Sequence, residues 1–254
     1  MFYSEVHGTT DDNHAPSTNP SEQTLLDCFK SLFTTIDADR PPYIGAAHRL
    51  RYQVYCVEKD FEDANAHPNE LEKDEFDSHA VQGLLLHRAT GTALGTARLV
   101  LPLSDTPERS FAVQRLLRRE SRKMAASVPI GSTAEVSRFS ISKHSLRRLF
   151  STNGDAGQAD CRSGPLMRLG LIQMLIRMSI ANNITHWYCI IEPSLKRMLD
   201  AMAFSMEPVG PLVEFHGVRQ PCFCSLSKVL TAMKHERPSF WDVLTDGGTL
   251  VVGS

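Results

Sequence analysis

Two charges three residues apart, Glu135 and Arg138, interrupt a stretch that otherwise alternates like a β-strand, Ala134-Glu-Val-Ser-Arg-Phe-Ser-Ile-Ser142. A carboxylate can take a proton from an amine, and a guanidinium can hold a carboxylate through paired hydrogen bonds. In a regular strand, residues three apart point to opposite faces, so only one of the two charges would meet a shared cleft. Both meet it only if the strand is bulged, and bulges re-aim side chains beside active sites. The competing reading is an edge strand with two solvated charges.

Possible partners for this pair are spread along the chain. Arg51 sits beside Ala47, Leu50, Val54 and Val57 in a helical pattern, with Tyr55 one turn away. It either snorkels to water or points into a cleft. The acidic run Glu72-Lys-Asp-Glu-Phe-Asp77 carries one aromatic, Phe76, just ahead of an apolar strand. A buried Phe76 would pin this loop and orient Asp74 and Asp77. Arg98 lies in the apolar run Ala93 to Leu101 and, once buried, needs a carboxylate from Asp74, Asp77 or Glu135. Arg115, Arg118, Arg119, Arg122 and Lys123 form the densest basic patch. It reads as a solvated helix face or as a docking surface for an acidic partner.

These residues need elements to position them. Helical spacing predicts a helix from Ser21 to Ile36 with Ser21 as N-cap, ended by Pro41 and Pro42. Further helices are predicted over 44–58, 111–126, 166–181 and 193–203. His79 to His87 and Ala93 to Leu101 form a hairpin around Arg88-Ala-Thr-Gly-Thr92. A buried strand covers 185–192, and two strands, 206–215 and 221–227, flank the turn at Gly217. Before the helix at 166, Arg162-Ser-Gly-Pro165 would open a helix N-terminus, a place where backbone N–H groups can hold a phosphate. The alternation of helices and strands predicts an α/β domain on a mixed sheet. Residues 1–20 read as a disordered lead-in, 21–236 as a single domain, and 237–254 as an unassigned tail.

Composition narrows the function classes. With 254 residues, 22% charged, 42% hydrophobic and a net charge of −2, the chain reads as an ordinary soluble domain. Bulk charge suggests neither nucleic acid nor a membrane surface as partner. The most apolar stretch, Leu166 to Ala181, is broken by Arg168 and Arg177, and no secretory signal is visible, so a cytoplasmic location is expected. Six scattered cysteines and ten dispersed histidines give no zinc spacing, so reduced structural thiols and no metal are expected.

Arg51-Tyr-Gln-Val-Tyr55, Glu72-Lys-Asp-Glu-Phe-Asp77, Gly95-Thr-Ala-Arg-Leu99 and Glu135-Val-Ser-Arg-Phe139 occur in that order. Together they resemble the acyl-homoserine-lactone synthases, the N-acyl amino acid synthases and the acyltransferases associated with the PEP-CTERM/exosortase system. All of these belong to the GNAT superfamily. The resemblance implies a mixed, mostly antiparallel twisted sheet with a splayed central cleft flanked by helices. It implies transfer of a long acyl chain from an acyl-carrier-protein thioester to the amine of an amino acid or similar acceptor, with no tightly bound cofactor. The donor is then an acyl-phosphopantetheine thioester. Glu135 falls in the role of general base, directly or through a water. Arg51, Asp74, Asp77, Arg98 and Arg138 fall in the charged cluster. Phe139, Ser140, Ile141, Arg162 and Gly164 fall beside the donor, and the basic helix from Arg115 to Lys123 faces the carrier protein. Autoinducer synthases usually carry a tryptophan where this chain has Phe61, which points to an acceptor other than the homoserine-lactone precursor.

Overall fold

In the computed structural model, which describes residues 24–117, 129–152 and 163–250, the apolar runs pair into one mixed sheet. Its strands are β1 (Phe33–Asp37), β2 (Ala80–His87), β3 (Ala93–Val100), β4 (Thr133–Ile141), β5 (His186–Ile191), β6 (Glu207–Pro208), β7 (Val213–Glu214) and β8 (Val218–Ser225). The order is β1-β2-β3-β4-β5-β8-β6, with β7 paired to β8. Neighbours are antiparallel except β4 and β5, which run parallel. The expected α/β class and mostly antiparallel mixed sheet are the ones observed.

Eight helices are described: α1 (Leu25–Leu32), α2 (Tyr43–Tyr52), α3 (Ala112–Leu116), α4 (Lys143–Thr152), α5 (Ser163–Ala181), α6 (Pro193–Ala201), α7 (Leu226–Glu236) and α8 (Pro238–Thr245). The central one is α5. It packs on β1 to β4 and is covered in turn by α1 and α8. That sandwich explains its nearly all-apolar surface, with Leu166, Leu169, Ile172, Met174, Leu175 and Ile176 all buried. Close approach depends on two glycines. A Cβ on Gly170 would lie 2.5 Å from the Phe29 ring of α1, and one on Gly83 would lie 2.8 Å from the Ile36 carbonyl and run into Met174. The opposite face of the sheet carries α2, the 72–79 segment and α3.

Several boundaries differ from expectation. The first helix stops at Leu32, and Phe33–Asp37 pairs with β2 as a strand, because its Thr-Thr-Ile run suits an extended, half-buried edge. Ser21 lies outside the described residues. Thr24 is the N-cap instead, and Asp27 accepts back from its N–H. The helix expected over 44–58 is α-helical only to Tyr52, and Gln53–Glu58 is a π-helical turn. Of the helix expected over 111–126, α3 covers Ala112–Leu116, and Arg118, Arg119, Arg122 and Lys123 lie outside the described residues. The lead-in over 1–20 lies outside them too. Pro165 is the third residue of α5 rather than the first. In the segment left unassigned, α8 buries Val243 and Leu244 completely. Among the described residues no helix is long and apolar enough to cross a membrane.

Candidate active site

The two charges of β4 do meet. Pairing with β3 runs regularly through Val100↔Glu135, Leu99↔Val136 and Arg98↔Ser137, but the next pair is Thr96↔Ser140. Arg138 and Phe139 therefore both stand opposite Ala97, and Arg138 takes a left-handed backbone with φ of 52°. This is a β-bulge, and it shifts the alternation of β4 by one residue. Val136, Phe139 and Ile141 pack toward the α5 side, while Arg138 turns to the face that carries Glu135 and Ser137.

On that face three arginines and four carboxylates interlock. Arg51, fully buried, donates to Glu72, to both oxygens of Asp77 and to Gln82. Arg98 grips Asp74 with two hydrogen bonds of 2.6 and 2.9 Å, and its Nη1 lies 3.0 Å from Asp77. Arg138 donates to Glu72 at 2.8 and 3.1 Å, to Asp74 at 3.1 Å and to Glu62 at 3.2 Å. Phe76 is buried, and Asp74 caps the short helical turn Glu75–His79 with Asp77 reciprocating, so the aromatic does orient both aspartates. Burial works against ionising Glu72, but the hydrogen bonds from Arg138 and Arg51 outweigh it and hold its pKa at about 2. Asp77 is likewise held well below the usual range by Arg51 and Arg98, against the effect of burial.

Glu135 is different. It is buried, and among the described residues its one hydrogen-bond partner is a backbone group: Oε2 accepts the N–H of Val113, at the start of α3, at 2.7 Å. Desolvation pushes its pKa up to about 7, only partly opposed by Val113 N–H and by the charges of Arg98 and Arg138. A carboxyl poised near neutrality is a competent base for an amine.

A cavity of about 430 Å³ opens beside it. Pairing between β4 and β5 is limited to Thr133↔His186 through Val136↔Cys189. Beyond that point the strands part, and the cavity lies between Ser137–Phe139 on one side and Ile190–Glu192 on the other. One end is charged, lined by Glu62, Asp74, Arg98, Arg115, Glu135 and Arg138 with Tyr55 and Phe61. The other end is apolar, lined by Ile172, Leu175, Trp187, Leu195, Leu199 and Met206. The cavity thus passes through the sheet from the charged face to the α5 face. No group of His, Cys, Asp and Glu suited to a metal ion occurs among the described residues.

Residues 50–150, from the end of α2 through the bulged strand to α4, match the model of the acetyltransferase (GNAT) domain. Over that stretch the chain is similar to GNAT acetyltransferases. No curated protein matches it. Among solved structures, the AHL synthase LasI superposes with a TM-score of 0.52 at 21% identity, over 76% of this chain and 89% of that one. The N-acyl amino acid synthase FeeM, from uncultured soil microbes, gives 0.52 at 12% identity over 79% and 94%. BjaI, a CoA-dependent acyl-homoserine lactone synthase solved with SAM and isopentyl-CoA, gives 0.53 at 17% identity over 87% and 91%. At these identities the likeness is one of fold.

Within the site the expected residues are distributed unevenly. Asp74, Arg98, Glu135, Arg138 and Phe139 line the cavity, whereas Arg51 and Asp77 stand behind it as support. Ser140 and Ile141 do not line it. They have rejoined the β3 ladder opposite Thr96 and Gly95, and the buried Ser140 hydroxyl has no hydrogen-bond partner among the described residues. The bulge frees Arg138 and Phe139, earlier in the strand than expected. Gly164 is in the first turn of α5, and Arg162 lies outside the described residues. Arg115, on the described part of the basic patch, pairs with the exposed Glu75 at 2.6 and 2.9 Å, and its guanidinium lies over Phe76. Sequence reasoning missed Glu72, which joins Arg51 to Arg138. It was visible in the acidic run, but its two partners are 21 and 66 positions away. Glu58 was missed as well. Its carboxylate accepts from Ser142 Oγ and from the N–H groups of Lys143 and His144, closing the N-terminus of α4.

Proposed function

We propose that the protein moves a fatty acyl group from an acyl-carrier-protein thioester to the amine of an amino acid or similar small acceptor. The observation that carries this reading is the cavity crossing the sheet, charged at one end and apolar at the other, with Glu135 beside the passage. A volume of about 430 Å³ is within the range of pockets that enclose a drug-sized ligand (about 300–1,000 Å³). An acetyl group would leave the apolar end empty, and a longer chain would fill it.

Chemically, the acceptor must be a free amine when it attacks the thioester carbon. Glu135, ionised above its pKa of about 7, takes the ammonium proton. The amine nitrogen then bonds to the carbonyl carbon, the carbon–sulfur bond breaks, and the carrier thiol departs with a proton. The pantetheine arm runs along the edge of β4 that β5 has left, past Ser137 to Phe139. The charged cluster positions the acceptor: Asp74 faces the cavity, while Arg51, Glu72 and Asp77 brace it from behind. Holding donor and acceptor in one cavity supplies proximity and orientation, which are worth several kcal/mol of barrier, up to about 7–11 in the best intramolecular cases. FeeM is described as an N-acyl amino acid synthase, which fits this acceptor class.

The test is purified protein incubated with acyl-carrier-protein thioesters of several chain lengths and a mixture of amino acids, followed by mass spectrometry. An N-acyl amino acid is expected, and E135Q should lower turnover by about 10²–10⁴-fold. Product from acetyl-coenzyme A alone would show a small-molecule acetyltransferase instead. Acyl binding without any transfer would show a non-catalytic acyl-binding module.

A further inference from the structure

Apart from Glu135, the carboxylates of the charged end have cationic partners already. Glu72 and Asp77 face Arg51, Asp74 faces Arg98, and Arg138 holds Glu72 and Glu62. The same three arginines are thereby engaged, Arg51 and Arg98 through all three nitrogens (Nε of Arg98 on the Ser137 hydroxyl) and Arg138 through Nε and Nη2. Two other cations line the cavity in a different state. Lys59 follows the π-helical turn, and Arg219 is the second residue of β8. Among the described residues, neither forms an ion pair with a carboxylate. Arg219 hydrogen-bonds only the carbonyl of its neighbour Val218, at 3.0 Å.

Both lie over one aromatic ring. Lys59 Nζ is 5.3 Å from the centroid of Phe61 and Arg219 Cζ is 5.6 Å from the same centroid. Lys59 also lies 6.0 Å from the centroid of Tyr55, which carries Arg138 above it at 5.1 Å. Phe61 therefore gathers two like charges from segments about 160 positions apart in the chain. Desolvation lowers the pKa of Lys59, Arg219 lowers it further, and Glu192 pulls the other way from beyond ion-pair distance. Two cations brought together in this way disfavour each other until an anion arrives.

We infer that Lys59 and Arg219, seated on Phe61, hold the carboxylate of the acceptor. The ligand's identity rests on the acyl-transfer reading; the anion site itself rests on the geometry of the two cations. The acceptor class is then an amino acid or another amine bearing an anionic group, rather than a neutral amine. Its amino group would face Asp74 and Glu135, and its carboxylate would face the β7–β8 end of the cavity.

Calorimetric binding of two ligands tests this: an N-acyl amino acid with a free carboxylate and its carboxamide twin. The wild-type protein should bind the carboxylate at least about tenfold more tightly. The double variant K59Q/R219Q should lose that preference while keeping its affinity for the carboxamide. K59R/R219K should retain it, which separates charge from folding. Coenzyme A is titrated in parallel and should bind all three proteins equally. Equal or undetectable binding of the two twins by wild type overturns the inference. So does a double variant that keeps the preference, or one that instead loses coenzyme A, which would assign the cations to the donor's phosphates. A protein that prefers the carboxylate but transfers no acyl group would leave this site standing and remove the proposed reaction. Transfer without the preference would do the reverse.

Discussion

Arg98 faces Ser137 across the β3–β4 ladder, and its Nε donates to the Ser137 hydroxyl at 3.0 Å. This is the last regular pair before β4 bulges. The two Nη groups of the same guanidinium reach Asp74, so one side chain ties the acidic loop to the strand at the point where the strand changes alternation. The bulge and the loop are therefore one unit, and substitutions in either should be felt in the other.

The pH dependence of turnover should report Glu135. Burial raises its folded-state pKa to about 7, so the active, ionised form is lost as pH falls through that value. kcat/KM should rise about tenfold per pH unit below 7 and level off above it, and E135Q should abolish the break. Stability should move the other way. Between the unfolded pKa and about 7, the folded protein holds a proton that the unfolded chain has released. Wild type should therefore lose stability relative to E135Q as pH rises through that window. Thermal unfolding at pH 5 and pH 8 checks this.

Arg138 combines a left-handed backbone with a buried charge, and two substitutions separate these roles. R138A leaves Glu72 with Arg51 alone and should cost about 3 kcal/mol or more, as removal of one partner from a buried pair does. R138G loses the same charge but suits positive φ, so it should be more stable than R138A by about 1 kcal/mol. Urea midpoints should rank wild type above R138G and R138G above R138A.

Glu58 closes the N-terminus of α4 from a distant element. Burial opposes its ionisation, yet the donors from His144, Ser142 and Lys143 hold its carboxyl below the ordinary range. E58A should lower stability by about 1 kcal/mol at pH 7, the usual worth of a helix cap. Because the folded pKa is depressed, that advantage exists above the unfolded pKa of about 4.3 and disappears as pH falls through the folded value. Denaturant titrations at pH 7 and pH 3 should show the difference between wild type and E58A narrowing.

Leu195, partly buried on α6, lines the apolar end of the cavity. L195F should shorten the space for the acyl chain and shift product toward shorter acyl groups, by about tenfold for one or two methylenes. Competition among acyl donors of mixed length, read by mass spectrometry, would show an unchanged distribution if the chain lies elsewhere.

Much of this arrangement was legible in the chain. The β2–β3 hairpin, the buried α5 and the β5 strand follow from period and turn chemistry. The spacing of Glu135 and Arg138 offered the bulge as one of two readings, the other being an edge strand with solvated charges, and the register decides for the bulge. The run Leu25, Leu26, Phe29, Leu32, Phe33, Ile36 misled, since helical spacing continues by coincidence into residues that pair as β1. Glu72 and Glu58 were opaque for a different reason. Their roles depend on partners brought close only by the sheet, and no local pattern marks a carboxylate that will end up beneath two arginines or at a remote helix end. Lys59 and Arg219 join the site in the same way, through one shared aromatic ring.

The short β4–β5 pairing has a mechanical meaning. Four residue pairs form the spine that joins the β1–β4 half of the sheet to the β5–β8 half, and the rest of the seam is open. Elsewhere a strand would continue the ladder and its side chains would complete the interior. Here that volume is left for a guest, so a bound acyl chain would act as a removable part of the hydrophobic core, fastening the two halves while it stays and loosening them when it leaves.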